Sequence, residues 1–152
     1  MKHIPTLLAF LWLTISGAQA QIPARENFSL GAWENEIGYT QAVRVGHTLY
    51  VSGSTGSGTM PEAIAEAYGA IQRTLAHYGL TFAQVVKENV YTTDIEALKR
   101  QAAVRRAFYG KDFPAATWVQ VARLYDLSHV IEVEVVAVVP DSPEADGTHA
   151  GK

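Results

Sequence analysis

Two glutamates, Glu132 and Glu134, sit inside the apolar run from Ile131 to Val139. A carboxylate among apolar side chains is costly to bury unless a donor or a ligand meets it. Residues two apart on a strand face one side, so both carboxylates share a face while Ile131, Val133 and Val135 take the other. The same alternation describes an ordinary strand with one wet face, and the pattern alone leaves both readings open. On a partly desolvated face, a glutamate can hold and polarise a water as a general base. Tyr39 adds a phenol that can donate to a developing anion or orient a ligand, and reads equally well as a core aromatic.

Other chemistries lack their residues. The five histidines form no HxH or HxxxH pair, so no metal site is expected. Cysteine is absent, which excludes a thiol nucleophile and a disulfide framework. There is no Gly-x-Ser-x-Gly elbow and no dinucleotide fingerprint after a strand. The Gly/Ser/Thr stretch from Ser52 to Thr59 is not followed by Gly-Lys-Ser/Thr, so it is no phosphate loop. Cofactor-free hydrolysis or plain small-molecule binding remain.

The elements that must position these residues follow from periodicity. Thr40–Val45 and Thr48–Gly53 read as a hairpin around Gly46-His47. Pro61 suits a helix's first turn; Ile64, Tyr68, Ile71, Leu75 and Tyr78 form one buried stripe, and Gly79 ends it. Val85–Thr92 is a strand, and Asp94 caps a second helix from Ile95 to Tyr109. Ala116–Leu124 and Val130–Val139 complete an α+β layer, a mixed sheet with two helices on one face. Apolar residues on both faces of the last strand, Val136 beside Val133 and Val135, imply cover from self-association.

Residues 1–20 read as a secretory signal peptide: Lys2, the apolar run from Ile4 to Ile15, then Ala18-Gln19-Ala20 as an A-x-A cleavage site. The expected location is periplasmic or secreted, with no membrane attachment after cleavage. Loss of Lys2 with the leader leaves 11 Lys and Arg against 15 Asp and Glu, a charge unsuited to binding nucleic acid. Residues 21–36 form an N-terminal lead-in, 37–140 the folded domain, and 141–152 a tail expected to be disordered.

Several segments, in this order and spacing, resemble the RidA/YjgF family of small imine and enamine deaminases. They are Gly38-Tyr39-Thr40-Gln41-Ala42, Tyr50-Val51-Ser52-Gly53, Val90-Tyr91-Thr92-Thr93-Asp94, Phe113-Pro114-Ala115, Val121-Ala122-Arg123-Leu124 and Ile131-Glu132-Val133-Glu134. The resemblance implies a chorismate-mutase-like protomer, a homotrimer, and small-molecule clefts at the subunit interfaces. It also implies hydrolysis of 2-imino or 2-enamino acids to 2-oxo acids and ammonia, without a cofactor. By position, Tyr39 would line the cleft, Glu132 would place the attacking water, and Ser52 and Gly53 would lie near the ligand.

The departure is at Ala116. Family deaminases carry an arginine there that clamps the substrate carboxylate through a bidentate pair. Thr117 follows as in the family, Trp118 stands where a cysteine is common, and Ala102 stands where the family has a cleft asparagine. Arg123 is a poor substitute: seven residues on, it lies roughly 23 Å along a strand and on the opposite face. Losing the clamp costs on the order of several kcal/mol for a carboxylate substrate. The sequence therefore implies a divergent hydrolase acting on some other imine or enamine. The alternative is a noncatalytic trimeric binder, and endoribonuclease activity ranks third.

Overall fold

The computed structural model describes residues 23–140; the expected signal peptide and tail lie outside the described residues. Six strands form one sheet in the order β1-β2-β3-β6-β4-β5. These are β1 (Arg25–Phe28), β2 (Ala42–Val45), β3 (Thr48–Ser57), β4 (Val85–Thr92), β5 (Ala115–Gln120) and β6 (His129–Val138). Only β4 and β5 pair in parallel; the other neighbours run antiparallel. The sheet is mixed, with helices on one face, as the sequence predicts.

The long helix α2 (Met60–His77) begins where Thr59 and Glu62 bond reciprocally, with Thr59 N–H and Oγ1 reaching Glu62 Oε2 at 3.0 and 2.6 Å. It ends in a Schellman turn: Gly79 takes φ 68°, and Leu80 N–H bonds to Leu75 O at 2.9 Å. Its stripe of Ile64, Tyr68, Ile71 and Leu75 is fully buried against Leu49, Val90, Ile131, Val133 and Ala137. At about 1.5–3 kcal/mol per buried side chain, that stripe holds the helix to the sheet. At Gly56 a Cβ would overlap Ala63 O, so glycine lets α2 lie directly on β3.

Four features differ from the sequence expectation, one being β5, expected over Ala116–Leu124 but ending at Gln120, so that Arg123 lies in the loop beyond it. The lead-in contains β1, paired with β2, and a short helix α1 (Trp33–Ile37). The second helix is two, α3 (Ile95–Arg100) and α4 (Ala102–Tyr109), broken at Gln101, which leaves the helical region at φ −103° and ψ 15°. Strand β3 runs through Gly53 to Ser57, where composition suggests a loop. The reason is a bulge: Val51 pairs with Val135 and Ser54 with Val133, so Ser52 and Gly53 together oppose Glu134. The extra residue breaks the alternation that marks a strand in sequence.

Candidate functional site

Besides Glu26 at the edge, paired with Arg44, four glutamates lie in or beside the sheet, and their partners separate them. Glu34, buried on α1, accepts from Ser29 Oγ (2.5 Å), Leu30 N–H (2.6 Å) and Gln41 N–H (3.0 Å). Burial works against its charge, yet these donors hold its carboxyl below the usual range. Glu88, buried on β4, accepts from Tyr68 and Tyr109 hydroxyls (2.7 Å each), Arg105 Nε (2.9 Å) and Trp118 Nε1 (3.1 Å). Glu134 accepts from Asn89 Nδ2 (2.6 Å) and Tyr91 Oη (3.1 Å). Glu132, half-buried on the same strand face, accepts no hydrogen bond from any described residue. Burial pushes its carboxyl up, Glu134 adds to the rise, and His129 opposes it.

The bulge makes room for that carboxylate. A Cβ built on Gly53 would overlap Glu132 Oε1 and stand 2.8 Å from its Cδ, so only glycine lets the side chain lie across β3. Tyr39 approaches from the other side, its hydroxyl 3.1 Å from both Gly53 O and Gln41 Oε1. One phenolic proton serves those two acceptors, so the oxygen's lone pairs remain to accept from a ligand. Burial pushes the phenol up, as do the charges of Glu34 and Glu132, against a contribution from Ser52.

Helix α1 sets Tyr39 in place. Gly38 ends the helix at φ 72°, Tyr39 N–H bonds to Glu34 O at 2.8 Å, and Glu34 ties α1 to the start of β2 through Gln41. Trp33 stacks on Tyr39 with centroids 5.7 Å apart and planes 18° from parallel. The result is a cleft of ≈540 Å³ between α1, β3, the β5–β6 loop and β6, in which Tyr39, Gly53 and Glu132 meet Trp33, Asp126 and His129. The His129 Nδ1 is enclosed without a protein partner, and Nε2 lies 3.4 Å from Thr55 Oγ1.

Of the residues expected at the site, this cleft gathers Tyr39, Gly53 and Glu132. Ser52 lies beside it but donates its hydroxyl to Thr40 O at 2.7 Å and lines a shallower groove on the open sheet face. Ala116, Thr117 and Trp118 lie elsewhere in the protomer, on edge strand β5. Strand β4 separates β5 from β6, about 10 Å between those strands at the usual spacing. Trp118 turns to the helix side and Glu88, while Thr117 Oγ1 accepts from Lys87 Nζ at 2.8 Å. Arg123 is committed to the loop, donating from Nε to Leu124 O at 3.1 Å and from Nη2 to Tyr125 O at 2.9 Å.

Sequence reasoning missed Trp33, Asp126 and His129. Trp33 and Ile37, four apart before a glycine, are the helical signal for α1. The loop residues carry no spacing signal. Among the described residues, no three His, Asp or Glu side chains cluster as a metal site needs.

The family model described as Endoribonuclease L-PSP matches residues 31–139, and the chain belongs to this family, the RidA/YjgF family. The human protein named 2-iminobutanoate/2-iminopropanoate deaminase is 33% identical over 109 residues, covering 66% of this chain and 79% of that one. A YjgF-family structure from Mycobacterium tuberculosis is 33% identical, with a TM-score of 0.71, and covers 76% of this chain and 100% of its own. A putative endoribonuclease structure from Thermotoga maritima is 26% identical, with a TM-score of 0.64, covering 80% and 99%. The fold is the α+β YjgF fold, and a RidA-like function is supported.

Proposed function

We propose that this chain is a cofactor-free hydrolase of a small imine or enamine other than the usual 2-imino acids, releasing ammonia. The carrying observation is Glu132, half-buried on β6 and accepting no hydrogen bond from any described residue, set over Gly53 and beside Tyr39. Relatives from human and Dermatophagoides farinae named 2-iminobutanoate/2-iminopropanoate deaminase support the reaction class. Ala116 in place of the clamping arginine argues against a carboxylate substrate.

The chemistry balances on one carboxylate. Water loses a proton to Glu132 as its oxygen bonds to the carbon of a protonated imine, and the C=N π pair moves to nitrogen. The carboxyl returns that proton to the nitrogen of the resulting amino alcohol. The hydroxyl oxygen then re-forms the carbonyl, expels ammonia, and its proton passes through Glu132 to give ammonium. A carboxyl raised by burial is better suited to both halves of this exchange. Tyr39 orients the nitrogen by accepting from its N–H.

The expected homotrimer, and with it a β5 from a neighbour that could close the cleft, belongs to this proposal, as does export to the periplasm or beyond. A noncatalytic binder is the second reading, favoured by the missing clamp. The endoribonuclease names of the family and of the Thermotoga protein suggest a third, which the acidic composition disfavours. Replacement of Glu132 by Gln tests the first reading. Turnover of an accepted imine should fall by roughly 10²-fold or more, while Glu134→Gln, which breaks only contacts to Asn89 and Tyr91, keeps most of it. Equal rates in both variants would leave Glu132 without a catalytic role.

A further inference from the structure

Building on the assignment of this cleft as the ligand site, we infer that it selects a cationic ligand lacking a carboxylate: an iminium, or an amine that mimics one. Its lining holds three aromatic rings, Trp33, Tyr39 and Tyr125, and two carboxylates, Asp126 and Glu132, with no Lys or Arg. Asp126 accepts from Ser128 N–H at 2.8 Å and Ser128 Oγ at 2.7 Å. Those bonds, with smaller contributions from His129 and Arg123, hold its carboxyl below the usual range and keep it charged. Glu132 accepts from no described residue, and the Tyr39 hydroxyl gives its proton to Gly53 O or Gln41 Oε1, leaving an oxygen lone pair toward the ligand.

A carboxylate ligand in this cleft would face two carboxylates, with no Lys or Arg among the described residues of its lining, a repulsive pairing. Arg123, the guanidinium of an adjoining groove that Glu132 and Glu134 also line, donates to two loop carbonyls and acts on the Asp126 carboxylate, so its charge is already matched by carboxylates. His129 offers no donor aimed at a ligand, since Nε2 turns toward Thr55 and Nδ1 is enclosed. A cation meets the opposite situation, with an unsatisfied carboxylate, a phenol oxygen and ring faces that attract positive charge. Iminium substrate and ammonium product both carry that charge, so the cleft offsets part of its negative charge at both ends of the reaction.

Three isosteres separate charge from shape: isobutylammonium, isobutyramide and isobutyrate, titrated calorimetrically into the purified protein at pH 7. The ammonium should bind at least about tenfold more tightly than the carboxylate. Trp33→Ala and Glu132→Gln should each weaken the ammonium about tenfold, and by clearly more than they weaken the amide. Trp33 is 52% exposed, so its truncation spares the core, and Asp126→Asn supplies a second charge variant should either fail to fold. Isobutyrate binding as well as the ammonium, or ammonium binding indifferent to these variants, overturns the inference. Turnover separates it from the hydrolase reading. Imines are generated in situ by oxidising a simple primary amine or alanine. Faster hydrolysis of the alanine-derived imine overturns the cation preference and leaves a hydrolase. Hydrolysis of neither, with the ammonium preference intact, supports the cation site and removes the hydrolase.

Discussion

Glu132 bears a thermodynamic cost that its neighbours avoid. Burial raises its carboxyl, so the folded chain holds that proton more tightly than the unfolded chain does. A raised folded value contributes stability that is present at low pH and lost as pH rises through it. Glu132→Gln removes the charge, so its melting temperature should exceed that of the wild type at pH 7. The difference should vanish below the ordinary glutamate range, about pH 4. Thermal melts of both proteins at the two pH values check this; a variant no more stable at pH 7 would mean the carboxylate is comfortably solvated. Higher stability with lower turnover is the exchange expected of a group kept for chemistry.

At the scale of elements, the bulge in β3 and the short helix α1 build the site. Gly53→Ala should push Glu132 off β3, because the new Cβ overlaps Oε1. We expect little loss of stability, because the atom displaced is the end of a flexible side chain whose burial is itself costly, and turnover lowered as far as in Glu132→Gln. A denaturant titration with an activity assay reads both, and retained turnover would show that Glu132 does not need its place over Gly53. Strand β5 presents the complementary case. Ala116 lies in register with Glu88, whose carboxylate already receives Arg105, Tyr68, Tyr109 and Trp118. The Trp118 ring is further held 5.1 Å from the Arg105 guanidinium. Ala116→Arg should therefore give no gain in hydrolysis of 2-iminopropanoate, since the added cation lies next to that network and Trp118 stays pinned. A large gain would show that a single guanidinium restores the family's clamp. Periodic signals made α2, β4 and β6 legible in the sequence, along with the shared face of Glu132 and Glu134. The extension of β3 was hidden, because a bulge of Ser52 and Gly53 erases period-two alternation. The helix α1 left only the Trp33–Ile37 spacing before Gly38 as its signal, and Asp126 and His129 reach the cleft through a loop whose path no spacing encodes.

At the scale of the molecule, the face of the sheet opposite α2 lacks cover. Tyr50 is 52% exposed there, with Val136, Asn89 and Glu134 around a groove between β3, β6 and β4. Exposed aromatic and aliphatic surface beside a sheet suggests a protein interface, and threefold closure is what the family resemblance implies. A neighbour's β5 on that face would bring Thr117, which faces away from the helices, toward a cleft that the single chain leaves open, while Trp118 stays turned to the helix side. Tyr50→Lys places a charge at the centre of the face without touching the buried stripe of α2. It should convert a trimer to monomers with the protomer still folded, and turnover should fall with assembly. Sedimentation velocity at micromolar concentration, with far-UV circular dichroism on the same samples, reads both quantities. A wild type that sediments as a monomer would place the whole ligand site within one chain. A trimer indifferent to Tyr50→Lys would move the interface to another face and detach β5 from the cleft.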